Sequence, residues 1–362
     1  MGLRNARAAA ESTAIEGLRE LAGAALPTDR IFRAADELLR PVLEFDAVCW
    51  HTADPATGLV NSVQSEDLSL AAYDHAVQLE VWTDDLATFP KIRRAGRRAE
   101  TISHASQGCP GRSVRYREQI RPAGFGDELR ACFDAAGGMW GCAAFMRAPD
   151  RGPYAARQRR LADLAARHLG NALRASHVPP SGPVDEDDDR SPAVIVLDRA
   201  NRLLALSGPA EDLLARFADP TPTALAVPTA VAMAAEHARR AADGLPAPQL
   251  PVRVQTRDGR WYVLHGSALR GPGVAGGDSG QATVVASPAT PAETVPLYLA
   301  AYGLTAREQE VALLLVRGCD TREVARTLAM APYTVQDHLK SVFAKTGVAS
   351  RRELVARIML GS

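Results

Sequence analysis

Tyr333, Thr334, Gln336, Asp337, Lys340 and Lys345 gather a phenol, a hydroxyl, an amide, a carboxylate and two ammonium groups into one short stretch. Spacings of three and four place Tyr333, Gln336, Asp337, Lys340 and Ala344 in a single row if that stretch is helical. Such a row is equipped for hydrogen bonding to base edges. An amide pairs bidentately with adenine, an ammonium donates to guanine or phosphate, and a carboxylate accepts from the cytosine amino group. Thr334 falls in the first turn, where a hydroxyl and free backbone N–H groups hold a phosphate. Arg322 and Arg326, one helical turn apart, can clamp a sugar-phosphate backbone nearby. The chemistry is recognition of DNA rather than making or breaking of bonds.

The elements that must position this row are marked by their ends. Thr305-Ala-Arg-Glu308 and Ser350-Arg-Arg-Glu353 fit the reciprocal capping box, and Asp320-Thr-Arg-Glu323 is its aspartate relative. Gly318 and Gly347 follow apolar-periodic runs, where a left-handed residue ends a helix at low steric cost. The spacing predicts helices over about 306–317, 321–329, 332–345 and 351–360. Each carries an apolar stripe at the helical period. The stripes are Val311, Leu314 and Leu315; Val324, Ala325 and Leu328; Val335, Leu339, Val342 and Phe343; and Leu354, Val355 and Ile358. Four such stripes close one small core, as in a helix-turn-helix module. From Leu304 to Ser362 nine Lys/Arg stand against six Asp/Glu, a surplus of three positive charges in a chain whose formal net charge is zero. That is a modest electrostatic footprint.

Leu304-Thr-Ala-Arg-Glu-Gln-Glu-Val311, then Gly318, Glu323-Val-Ala325, Leu328 and Thr334-Val335 with His338, resemble the LuxR-type helix-turn-helix, also called the NarL/FixJ output domain. The resemblance spans roughly residues 297–362, with the motif itself at about 321–340. It implies a homodimeric transcriptional regulator that binds double-stranded DNA, its third helix entering the major groove and its fourth supporting dimerisation. RNA polymerase is a further partner of such regulators. The chain departs from the pattern at three places. Gln336 stands where lysine is usual, Asp337 adds a negative charge to the row, and Ala331 replaces a common serine cap, partly offset by Pro332 at the first helical position. A weaker or differently specific binder is expected.

The 362 residues suggest two or three domains, and 46% apolar with 23% charged residues is ordinary for a globular protein. No apolar run approaches eighteen residues and no cationic-then-apolar leader opens the chain, so a cytoplasmic, non-membrane protein is expected. Pro179-Pro-Ser-Gly-Pro-Val-Asp-Glu-Asp-Asp-Asp189 reads as an acidic, proline-rich linker over 179–190, and Pro288–Pro296 as a second linker over 288–296. Block 1–178 mixes helices near 12–24, 29–41 and 154–175 with a strand at Ala47–His51 and a hairpin pairing Leu129–Phe133 with Gly141–Met146 around Gly137-Gly138. This α+β order loosely resembles a GAF-type sensory domain. Block 191–287 offers two strands about the Asp198–Asn201 turn, helices at 209–217 and 228–242, a hairpin turning at Asp258-Gly259, and a closing strand at Gln281–Val285. That layout is similar to a PAS-like domain. The expected fold class is thus multidomain: two α+β sensory units with antiparallel sheets, GAF-like and PAS-like, before an all-α four-helix DNA-binding unit. The resemblance leaves room for a small-molecule ligand in the sensory region.

Other chemistry finds little support. Gly271-Pro-Gly-Val-Ala-Gly276 matches a dinucleotide fingerprint but lies between antiparallel strands with no helix to hold a phosphate. No Walker A sequence exists. His75, His104 and Cys109 lack metal-ligand spacing, and Arg93, Arg94, Arg97 and Arg98 read as a solvated basic patch. Five cysteines, odd in number and never two residues apart, argue against disulfides and zinc, although Cys132 and Cys142 can face each other across a hairpin. No enzyme, cofactor or metal is expected. The alternative is a sensory interaction module whose terminal helices dock a protein.

Overall fold

A computed structural model describes residues 2–69, 73–178, 191–217, 227–247, 251–270 and 278–359. The acidic stretch 179–190 and the Gly271–Gly276 loop lie outside these residues.

In the first block, helices α1 (Gly2–Leu21) and α2 (Thr28–Leu43) lead into β1 (Ala47–Thr52). Then come α3 (Tyr73–Trp82), α4 (Phe89–Arg94), β2 (Ala99–Thr101), α5 (Ile102–Ala105), β3 (Asp127–Ala135), β4 (Gly138–Arg147) and α6 (Ala156–Ser176). The four strands form an antiparallel sheet in the order β1-β4-β3-β2. β4 is buried along its whole length, as suits a central strand covered on both faces. The α1, α2 and α6 layer packs on one face around Phe32, Trp50, Phe133, Trp140 and Phe145. Contact is close because glycine permits it: a Cβ on Gly170 of α6 would meet Asp134 O of β3 at 2.7 Å. The expected hairpin turns at Ala136-Gly137, both with positive φ. Cys132 and Cys142 are cross-strand partners there. They are free, fully buried thiols whose burial pushes both pKa values up, so they behave as small apolar side chains.

The middle block follows the expected layout. Strands β5 (Ala193–Leu197) and β6 (Leu203–Leu206) precede α7 (Gly208–Arg216) and α8 (Thr229–Ala242). Strands β7 (Val252–Gln255), β8 (Trp261–Arg270) and β9 (Asp278–Pro288) complete an antiparallel sheet in the order β6-β5-β9-β8-β7. Gly259 supplies the positive φ that the β7–β8 turn requires. α8 lies on this sheet and also packs against α3 of the first block.

The two blocks share buried polar ties. Trp82 Nε1 donates to Glu236 Oε2 at 2.6 Å, and Arg240 Nη1 to Val81 O at 2.5 Å. Arg253 of β7 meets the carboxylate of Asp54, which is 0% exposed, through Nη2 at 2.9 Å and Nε at 3.2 Å. Rings of Trp140, His177 and Trp261 stand in series with centroids 5.3 and 5.5 Å apart, linking first sheet, α6 end and second sheet.

One expectation is overturned. The segment expected as a linker over 288–296 is largely helical: α9 runs Pro291–Ala301. Pro291 occupies the first turn, where no intrahelical N–H bond is needed, and Glu293 accepts from the Thr290 backbone N–H at 2.7 Å. Pro296 forgoes one bond, offset by burial of Val295, Leu297, Leu299 and Ala301. α9 is fastened at both ends, by Arg253 Nη1 to Glu293 O at 3.1 Å and by Arg174 of α6 to the carbonyl of Ala301.

The terminal helices are α10 (Ala306–Val316), α11 (Thr321–Thr327), α12 (Pro332–Thr346) and α13 (Arg351–Met359), close to the expected spans. Val311, Leu315, Val324, Ala325, Val335, Val342, Leu354 and Ile358 are buried in two small clusters, while Leu314, Leu328, Leu339 and Phe343 pack beside them half-buried. Gly318 and Gly347 both take positive φ. The turn before α12 holds Ala329 at φ 50, and Ala331 caps α12 with no side-chain hydrogen bond. Ala331→Ser is therefore expected to raise the melting stability of the terminal helices by about 1 kcal/mol, read by thermal denaturation. An unchanged melt would mean that the first turn of α12 is already satisfied.

Candidate nucleic-acid interface

α12 is held by its buried stripe against α10 and α11, which fixes the opposite row outward. Tyr333 is 71% exposed, and Gln336, Asp337, Lys340 and Ala344 are exposed in the same row. Thr334, in the first turn, is half-buried. Arg322 and Arg326 project from α11, exposed and without an ion-pair partner among the described residues. Of the eight residues expected from sequence, four thus stand exposed in the α12 row, Thr334 is half-buried in the first turn of α12, and the two arginines are exposed on the adjacent α11. Their polar atoms are an amide, a hydroxyl, a phenol, an ammonium and two guanidinium groups, with one carboxylate among them.

That carboxylate is already engaged. Lys340 Nζ donates to Asp337 Oδ1 at 3.0 Å, an exposed i,i+3 pair worth little in stability. Its effect is on binding, because a phosphate must compete with Asp337 for the ammonium.

Lys345 is a correction to the expected contact set. Five residues beyond Lys340, it lies about 140° around the helix from that row. Its Nζ donates instead to Glu308 Oε2 at 2.6 Å, and Ser341 Oγ donates to Glu308 Oε1 at 2.6 Å. Burial would raise the Glu308 pKa, but hydrogen bonds from Lys345, Ser341 and Thr305 outweigh it and take the value down to about 2. A carboxyl held below its ordinary 4.5 contributes stability that is present above pH 4.5 and lost as pH falls through 2. Acid titration of the helical signal should therefore show the terminal helices loosening across this window, and Glu308→Gln should flatten that loss. Equal acid sensitivity in wild type and variant would remove Glu308 from the account.

A second constellation lies in the first block, under α3. His51, Glu80, Glu128 and Arg130 border a cavity of about 360 Å³ whose other walls include Phe89 and Met233. Spacing along the chain does not reveal it, since its residues run from Cys49 to Met233. The one available signal was the alternation of Glu128 and Arg130 with apolar neighbours in a buried strand.

The histidines expected to be solvated or satisfied do not converge. His104 Nδ1 lies 2.9 Å from Glu100, and His75 Nε2 lies 3.4 Å from Glu118. Among the described residues no three His, Cys, Asp or Glu side chains form a metal-sized group. The basic patch is not one surface either, because Arg93 pairs with Asp134 and Arg97 with Glu100. No described helix is long and apolar enough to cross a membrane.

Comparison with known proteins bears on the terminal helices. Residues 303–358 match the family described as bacterial regulatory proteins, luxR family. The Monoamine regulon transcriptional regulator of Klebsiella aerogenes is 43% identical over 54 residues, 15% of this chain and 24% of that protein. The spore germination protein GerE of Bacillus subtilis is 38% identical over 56 residues, 16% of this chain and 76% of that protein. Among solved structures, the Vibrio cholerae VqmA dimer is 17% identical, with 46% of this chain and 80% of that chain covered at a TM-score of 0.19. The VqsR LBD domain from Pseudomonas aeruginosa is 13% identical, with 45% and 96% covered at a TM-score of 0.29. Both scores describe distant likeness. Capped helices, an outward polar row and a match over most of GerE together place this chain in the LuxR family of bacterial regulatory proteins, with a helix-turn-helix DNA-binding unit at residues 303–358.

Proposed function

We propose that the chain is a cytoplasmic, homodimeric transcriptional regulator in which residues 1–178 and 191–287 are sensory domains controlling the DNA-binding domain 297–362. The observation that carries this reading is the exposed row of α12, with Arg322 and Arg326 exposed on the adjacent α11 and in no ion pair among the described residues. In it Gln336 reads a base edge, while Lys340, Arg322 and Arg326 hold phosphates and Tyr333 and Thr334 fix the register of the helix. Two copies of α12 meet half-sites one helical turn apart, with α13 at the protomer interface. The cavity under α3 is the sensory site, and its state reaches α12 through α3, α8, the second sheet and α9.

Mobility shifts on a selected DNA site test the assignment. Lys340→Ala should weaken binding to all sequences about tenfold, whereas Gln336→Ala should relax preference at one base pair by about 1–3 kcal/mol. Wild-type affinity in both variants would strike these residues from the interface. A full chain that binds no DNA, even non-specifically at low salt, would instead favour a protein-docking role for the same row.

A further inference from the structure

The cavity's charge pattern selects among ligands. At about 360 Å³ it falls in the range of pockets that enclose a small molecule, and much of its wall is apolar, including Val77, Phe89, Ala144 and Met233. Its charged wall is one-sided. Arg130 Nη1 donates to Glu80 Oε2 at 2.6 Å, its Nε lies 3.3 Å from Glu128 Oε2, and the Phe89 ring covers its guanidinium at 4.2 Å. Arg115, behind it, donates to Glu128 through Nε at 3.0 Å and Nη2 at 2.7 Å and lies 3.7 Å from Asp85. Of these groups Arg130, Glu80 and Glu128 line the cavity, and Glu118 adds a third carboxylate, so the wall sets three carboxylates against one guanidinium. Both arginines are paired with carboxylates, with Arg130 Nε the nitrogen left without a hydrogen bond, so an anionic ligand would compete with those carboxylates for Arg130.

His51 adds no positive charge to the wall. It is 5% exposed, and burial, aided by the charge of Arg130, lowers its pKa to about 4, so the ring is neutral near pH 7. Its Nδ1 lies 3.3 Å from the carbonyl of Ser62, an atom that only accepts. The same Nδ1 lies 3.2 Å from the Tyr73 hydroxyl, which can donate to it, so either tautomer of the neutral ring finds a partner. The charged part of the wall is therefore mainly carboxylate.

We propose that this cavity binds a compact, largely apolar nitrogen base, its protonated amine held by Glu80 and its hydrocarbon body packed against Phe89 and Met233. The inference deepens the sensory role given above and rests on it. Occupancy is sensed by α3, which carries His75, Val77 and Glu80 to the cavity and Gln78 and Trp82 to Glu236 of α8.

Calorimetric titration of the full chain with three matched probes tests it: 1-naphthylmethylammonium, 1-naphthylmethanol and 1-naphthoate. The ammonium should bind at least about tenfold tighter than the alcohol, the increment of a charge-assisted hydrogen bond, and the carboxylate should not bind detectably. Glu80→Gln should remove the preference for the ammonium while leaving the alcohol within about threefold. Ala76→Phe, filling the cavity from a half-exposed helix position, should abolish binding of both, and carries the test should Glu80→Gln fail to fold. Naphthoate binding as tightly as the ammonium overturns the proposal, as does absence of binding by all three. DNA binding by the same preparation without any probe is read separately. Its persistence beside a failed titration leaves the regulator reading standing, and its loss beside an intact ammonium preference leaves the cavity assignment standing.

Discussion

Raising salt from about 50 to about 200 mM weakens the protein's grip on its DNA site on the order of a thousandfold, the loss expected when a dimer neutralises about six phosphates. The count comes from Lys340, Arg322 and Arg326 on each of two protomers. All three are exposed, on two helices packed together, and the arginines have no competing ion pair among the described residues. Fluorescence anisotropy across a salt series gives the slope directly. Arg322→Ala should reduce that slope by about one for each protomer without changing which site is preferred. A flat salt response would mean that these cations do not meet phosphates, and the interface would have to be sought elsewhere. Lys340 should contribute less than either arginine, because Asp337 sits 3.0 Å away and must be given up first.

Arg253→Met should cost about 3–5 kcal/mol, the range for removing one partner of a buried ion pair. Asp54 is 0% exposed and receives the Arg253 side chain through two nitrogens and its backbone N–H through a third bond at 3.2 Å. Removing the guanidinium leaves that carboxylate without its charged partner and also releases the Glu293 carbonyl of α9. Denaturant unfolding reads the stability, and amide exchange in α9 reads the release. Asp54→Asn combined with Arg253→Met should recover much of the loss, since the orphan charge is then gone. A single-variant cost below about 1 kcal/mol would show that the junction between the blocks does not depend on this pair.

How much was legible in the sequence follows how local each signal is. Thr305 with Glu308, Asp320 with Glu323 and Ser350 with Glu353 are contacts three residues apart, so they mark helix ends without any knowledge of the tertiary fold. The hairpin turns at Gly137 and Gly259 are equally local. α9 was hidden because prolines 288, 291 and 296 read as breakers, whereas its helical state rests on burial against distant residues such as Arg174. α3 gave no clean apolar stripe because one side lines the cavity and another meets α8, leaving no single buried face. The outward row of α12 was readable from spacing, but the fate of Lys345 was not. Its partner Glu308 lies on another helix, and only the packing of α10 against α12 brings the two within 2.6 Å. The cavity, lined from five helices and strands of one block and one helix of the other, left almost no trace in any single segment.

Because α9 is a pinned helix rather than a slack tether, the proposed dimer would have two reading heads that cannot wander to find their targets. Such a dimer would work as a calliper set by its upstream blocks. Operators with a base pair inserted between half-sites should then be rejected, and a signal that shifts the upstream blocks should change which gap is measured rather than how firmly any one head grips.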